Sequence, residues 1–187
     1  MTEEIQMYLD EAEENMKKAV EHVIGEFKKI RAGKAQPNML DGLMVEYYGN
    51  NTPINQVASI TTPDARTVMI KPWEKKMVNE IERAIINSDL GLNPQNDGEV
   101  VRLNIPPLTE ERRKNLVKQA KNEAENGKVS VRNIRKDAND SIKKLLKDGT
   151  SEDDVKEGED NVQELTDKYS NKIDSLFEEK DKEIMTV

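Results

Sequence analysis

From Ile5 to Ile30 the apolar residues fall three or four apart, at Ile5, Leu9, Ala12, Met16, Val20, Val23, Phe27 and Ile30, with Glu and Lys filling the intervals. That spacing lines one face of a helix, so the pattern predicts a first long amphipathic α-helix. A second begins at Thr109, an N-capping residue type, with Glu110 and Glu111 in the first turn where carboxylates are favoured. Pro106 and Pro107 bar an earlier start. Its stripe runs Val117, Ala124, Val131, Ala138 and Leu145 at intervals of seven, with Ala120, Gly127 and Ile134 interleaved. This is a narrow, coiled-coil-like seam that permits close packing, and Gly149 ends it. Ser151 followed by Glu152, Asp153 and Asp154 is the capping signature of a third helix, with the seam Val155, Val162, Leu165, Tyr169, Ile173, Leu176 and Ile184. A hairpin of helices two and three, with the first laid against it, buries all three stripes. The expectation is an elongated antiparallel three-helix bundle.

Between Arg31 and Ile105 the period changes. Leu43 to Tyr48, Gln56 to Ile60, Thr67 to Lys71 and Glu99 to Ile105 read as short strands separated by Gly, Pro, Asn and Asp. One helix interrupts them, from Lys75 to Asp89, with Met77, Val78, Ile81, Ala84 and Ile85 on one face. The fold class is therefore α+β: a bundle of residues 1–30 and 106–187 with a small mixed domain, 31–105, inserted between its first two helices. The insertion makes two chain crossings, at 30–33 and 104–107. Ile30, Arg31, Ala32 and Gly33 on one crossing and Asn104, Ile105 and Pro106 on the other form a candidate hinge, since paired crossings restrict motion to a swing.

Leu, Ile, Val and Phe make up 42 of 187 residues, just above the level of about 20% below which a highly charged chain stays unfolded. Such a chain folds with a thin core, which suits long helices with one buried stripe each. The chain contains no Cys and a single His, so disulfides, thiolate chemistry and multi-histidine metal sites are excluded. His22 lies mid-helix without a partner that would make it catalytic, and no glycine-rich phosphate loop is present. The acidic run at Glu152 to Asp154 is explained by helix capping, and no cofactor or metal is expected. The start of the chain is acidic and amphipathic, and no apolar run approaches a membrane span, so a soluble, cytoplasmic protein without a membrane partner is expected.

The net charge of −8 argues against a polyanionic partner only until it is divided along the chain. Residues 106–147 carry 12 basic and 6 acidic side chains, whereas residues 148–187 carry 5 and 14. One reading pairs the basic helix with its acidic neighbour, as in an adaptor that holds protein clients. Surface ion pairs, however, stabilise by only about 0 to 1 kcal/mol each, so stability alone does not call for such segregation. In KVSVRNIRKD, Val131 and Ile134 face the seam, which turns Arg132 with Arg135 or Lys136 outward as a phosphate-binding ridge, with Lys128 beside them and Lys121 two turns earlier. The preferred reading is contact with an RNA backbone. Trp73, Tyr47 and Tyr48 could stack on bases, but in a chain with 4% aromatic residues they read rather as the core and rim of the small domain.

Ordered along the whole chain are RAGKA at Arg31 to Ala35, Pro37 with Leu40-Asp41-Gly42, VEYYG at Val45 to Gly49, SDLGLNP at Ser88 to Pro94, PPLTEERR at Pro106 to Arg113 and VRNIRKDAND at Val131 to Asp140. On these motifs the chain resembles the ribosome recycling factor family. The resemblance implies an L-shaped molecule with a three-helix bundle and a small β/α/β domain, a translation factor rather than an enzyme. It implies binding to the large ribosomal subunit and its ribosomal RNA after termination, followed by splitting of the ribosome with elongation factor G and GTP. It places the family's key RNA-binding arginine at Arg132, with Lys128, Arg135 and Lys136 beside it, and it implies a monomer off the ribosome.

Overall fold

The computed structural model describes residues 2–186, so the bundle ends expected at Met1 and Val187 lie outside the described residues. In chain order the elements are α1 (Glu3–Lys29), β1 (Met44–Tyr47), β2 (Asn50–Pro53), the one-turn α2 (Ile54–Val57), β3 (Ala58–Asp64), β4 (Thr67–Pro72), α3 (Val78–Ile86), β5 (Pro94–Asn96), β6 (Val101–Asn104), α4 (Glu110–Lys144) and α5 (Glu152–Met185). The chain divides into two compact units. One combines the residues up to Ala32 with those from Glu110 onward, and the other is Gly33–Thr109.

The first unit is a bundle of α1, α4 and α5. Thr2 caps α1, its side chain accepting from the Ile5 N–H, and every residue of the expected α1 stripe, Ile30 included, is buried. A Cβ at Gly158 of α5 would meet Ile5 and Ile142, and one at Gly127 of α4 would meet Val23 and Ile173. The start of α1 therefore lies beside the end of α4 and the start of α5, so α4 runs antiparallel to both. The seam of α4 departs from the strict seven-residue repeat. Leu116 and Ile142 are buried, while Val117 and Ile134 are only half-buried. The buried side follows about 3.6 residues per turn, as a straight helix does, so the heptad template leaves it at Val117 and Ile134, whereas Ala124, Val131, Ala138 and Leu145 are buried. On α5 the Ser151 Oγ accepts from the Asp154 N–H at 3.1 Å, as the capping signature implies. Its buried side includes Gly158, Thr166 and Lys180 besides the apolar seam, with Leu165 and Leu176 half-buried.

A polar link joins α5 to α1. The Tyr169 hydroxyl on α5, in a side chain only 3% exposed, donates to Glu13 Oε1 on α1 at 2.8 Å, and the Lys168 ammonium donates to the same oxygen at 3.0 Å. The Lys168 hydrogen bond, then that of Tyr169, holds the Glu13 carboxyl below the usual carboxylate range. A depressed carboxyl stabilises the fold fully above its unfolded pKa and loses that contribution as pH falls through the folded one. Glu13→Gln is therefore expected to be less stable than the native chain at neutral pH. The gap should close on acidification through the carboxylate range in denaturant melts, and a gap independent of pH would refute the link.

The second unit packs α3 against a four-stranded antiparallel sheet of order β3-β4-β6-β5, beside a β1–β2 hairpin. Its core holds Leu40, Val45, Ile54, Val57, Val68, Ile70, Met77, Val78, Ile81, Ile85, Val101 and Leu103. The expected strand at Gln56 to Ile60 begins as the turn of α2 and becomes a strand only at Ala58. Two strands, β2 and β5, consist of the Asn- and Pro-rich sequences that read as turns. They are strands because β2 pairs with β1 and β5 with β6. Of the aromatic residues, Tyr47 packs at the core's edge, whereas Trp73 and Tyr48 are 68% and 66% exposed. Tyr48 has φ +48°, its hydroxyl donates to Glu74, and the Lys76 ammonium lies 4.0 Å from its ring centre.

Candidate nucleic-acid interface

Arg132, Lys136 and Lys121 project from α4 as exposed side chains, and none of them forms an ion pair or hydrogen bond with another described residue. They lie on the flank of α4 that its buried positions Ala124, Val131 and Ala138 leave outward. Three cationic heads free of internal partners can each take a phosphate oxygen, and the planar fork of Arg132 can take two.

The other two expected contacts are engaged within the bundle. Lys128 is half-buried, with its ammonium 2.9 Å from Glu125 Oε1 and 3.0 Å from Asp174 Oδ1 on α5. The hydrogen bond to Glu125, then that to Asp174, raises its pKa above that of an ordinary lysine. Arg135 is also half-buried and donates from Nη1 to Gln163 Oε1 at 3.3 Å. Further along, Lys143 pairs with Glu159 at 2.9 Å. Internal pairing therefore accounts for part of the charge segregation, at Lys128 and Lys143, and leaves Arg132, Lys136 and Lys121 outside it.

The α5 partners were not singled out from sequence, although a signal existed. Glu159, Gln163 and Asp174 each directly follow a buried position, Gly158, Val162 and Ile173, so they line the flank of α5 next to its seam. The pattern does not contain the register of α5 on α4 that brings them to Lys143, Arg135 and Lys128.

The candidate hinge residues differ in how they are held. Asn104 pairs with Thr67 in the sheet, and the Ile105 N–H donates to the Arg66 carbonyl at 2.7 Å, so both belong firmly to the second unit. Gly33 has φ +70°, and a Cβ there would lie 2.5 Å from the Leu108 side chain, which ties Gly33 and Leu108 together in the same unit. Ile30 is buried, Arg31 is exposed and Ala32 is 9% exposed. Pro106 and Pro107 offer no N–H to any ladder. His22 is exposed on α1. Among the described residues no three metal-ligating side chains converge, and no helix is long and apolar enough to cross a membrane.

A bundle of three long helices, with a small sheet unit inserted after the first and exposed, internally unpaired cations on the second, defines a two-unit α+β protein. The family model for ribosome recycling factor matches residues 23–185. The ribosome-recycling factor of Amoebophilus asiaticus is 62% identical over 185 residues, covering 99% of this chain and all of the relative, and that of Caldicellulosiruptor bescii is 56% identical over 188 residues, covering both chains fully. Among solved structures, a solution structure of ribosome recycling factor aligns over both whole chains with a TM-score of 0.78 at 41% identity. Models of the T. thermophilus ribosome recycling factor and the E. coli elongation factor G bound to the E. coli post-termination complex align with a TM-score of 0.63 at 44% identity, again over both whole chains. The chain belongs to the ribosome recycling factor family.

Proposed function

We propose that this chain recycles ribosomes after termination, binding the large ribosomal subunit and, with elongation factor G and GTP, splitting the post-termination ribosome into subunits. The observation that carries the reading is end-to-end similarity to ribosome recycling factors, one of them placed with elongation factor G on a post-termination complex. The chain acts as a binding factor rather than an enzyme, works in the cytoplasm as a monomer when off the ribosome, and needs no cofactor of its own. Arg132 anchors it to ribosomal RNA, with Lys136 and Lys121 as flanking phosphate contacts and Arg135 held beside them by Gln163. Unpaired exposed cations on one helix face support this assignment, because phosphate binding needs charges that are free to displace counterions.

The two crossings serve as the hinge. With Gly33, Asn104, Ile105 and Leu108 held in the small unit, bending falls to Arg31 and Ala32 on one crossing and to the junction of Thr109 with Glu110 on the other. A bundle anchored on RNA is then a fulcrum against which the GTPase turns the small unit.

Light scattering of post-termination ribosomes mixed with this protein, a matched elongation factor G and GTP tests the reading. Scattering is expected to fall only when all components are present. A variant stiffened at the two crossings should still bind but no longer split. No fall with folded protein would sink the recycling role, and a fully active stiffened variant would sink the hinge.

A further inference from the structure

Lys128 is the one residue of the expected ridge that the fold has neutralised. Its ammonium sits between Glu125, one turn earlier on α4, and Asp174 on α5, and the three side chains together carry −1. The arrangement is also layered. The Lys128 side chain is 22% exposed, whereas Glu125 and Asp174 are 50% and 52% exposed, so an approaching anion meets the carboxylates before the ammonium. Lys121 lies on one side of this locus and Arg132 with Lys136 on the other, all exposed. A phosphate chain following α4 thus passes attraction, repulsion and attraction again. The Glu125 carboxyl also lies within the field of Arg132, which together with Lys128 depresses its pKa, Lys128 contributing most.

We propose that the Glu125–Lys128–Asp174 triad is a brake on RNA affinity, in which the two carboxylates withhold Lys128 from phosphate and limit how tightly the α4 ridge grips the large subunit. The inference rests on the reading of Arg132 as an RNA anchor. Half-exposed ion pairs contribute little to stability, so holding the bundle together is not a sufficient reason for two carboxylates to enclose one ammonium. Their effect on a polyanion is larger, because each cation released to a phosphate adds one counterion's worth of salt dependence.

The test is equilibrium binding to isolated large ribosomal subunits at two salt concentrations, with thermal melts to confirm folding. Asp174→Asn brings the locus from −1 to neutral and is expected to bind about fivefold tighter at moderate salt, with a log–log salt slope steeper by about 0.7 to 0.9. Adding Glu125→Gln should tighten binding again. Adding Lys128→Ala to the Asp174→Asn chain should abolish both the gain and the extra slope. Asp160→Asn, the same charge change elsewhere on α5, should give no gain. Unchanged binding of Asp174→Asn, a gain that survives Lys128→Ala, or an equal gain from Asp160→Asn would overturn the brake. Arg132→Ala in the same assay separates the two ideas. If it weakens binding while Asp174→Asn does nothing, only the brake fails; if it too has no effect, the RNA anchor and the brake fail together.

Discussion

Gly127→Ala is expected to destabilise the bundle by about 1 to 3 kcal/mol, the usual cost of overpacking, and to lower its thermal midpoint by roughly 3 to 10 °C. At Gly127 side chains of both α1 and α5 press against α4. A Cβ there would lie 2.3 Å from Val23 Cγ2 and 3.2 Å from Ile173 Cδ1. Val23 cannot turn aside easily, because a β-branched side chain in a helix has essentially one rotamer, and both neighbours are fully packed at 1% and 0% exposure. The helices must separate instead. Intrinsic propensity pulls the other way, since alanine is favoured over glycine in a helix interior by about 1 kcal/mol. Gly25→Ala on α1 isolates that opposing effect, because nothing lies within 4 Å of a Cβ built there. It is expected to raise the midpoint by a few degrees, roughly the size of its propensity gain. Melts followed by circular dichroism decide the matter. A Gly127→Ala midpoint equal to or above the native one would mean that the close approach does not hold the bundle's geometry.

That contrast also marks what the residue pattern could and could not convey. The α1 stripe was legible to the last residue because every buried position is apolar and falls at helical spacing. Gly127 was legible as a seam member, but its two steric neighbours come from helices whose register no local pattern encodes. On α5 the buried Thr166 and Lys180 are invisible to any apolar template. Thr166 satisfies its hydroxyl on the Val162 carbonyl at 2.8 Å, and Lys180 lays its stem inward while its ammonium meets Glu183 at 3.1 Å. In the small unit β2 and β5 were missed because Asn and Pro argue against strands, and pairing with β1 and β6 overrode that preference. The site divides in the same way. The exposure of Arg132 and Lys136 follows from spacing along α4 alone. The fate of Lys128 depends on Asp174, forty-six positions away in sequence, and no reading of the α4 segment by itself contains it.

Arg132→Ala is expected to weaken binding to the large ribosomal subunit roughly tenfold to a hundredfold, the range for a charge-assisted hydrogen-bonded contact, and to abolish the scattering fall at protein concentrations where the native chain splits ribosomes. Its effect on the fold should be small, at most about 0.5 kcal/mol, because the side chain is exposed and supports no neighbour through a hydrogen bond or ion pair. Arg132→Lys keeps the charge but loses the planar fork, so it should recover only part of the affinity, and the shortfall measures how far recognition is bidentate rather than purely coulombic. The salt dependence supplies the third reading. Removing one phosphate contact should flatten the log–log slope by about 0.7 to 0.9, whereas a damaged bundle would lose affinity together with its thermal midpoint. A midpoint that drops in step with affinity would make Arg132 a structural residue, and native-like binding of Arg132→Ala would remove it from the interface. A loss of affinity with an intact melt and a flattened slope is the signature expected of a cation held outside the bundle for RNA.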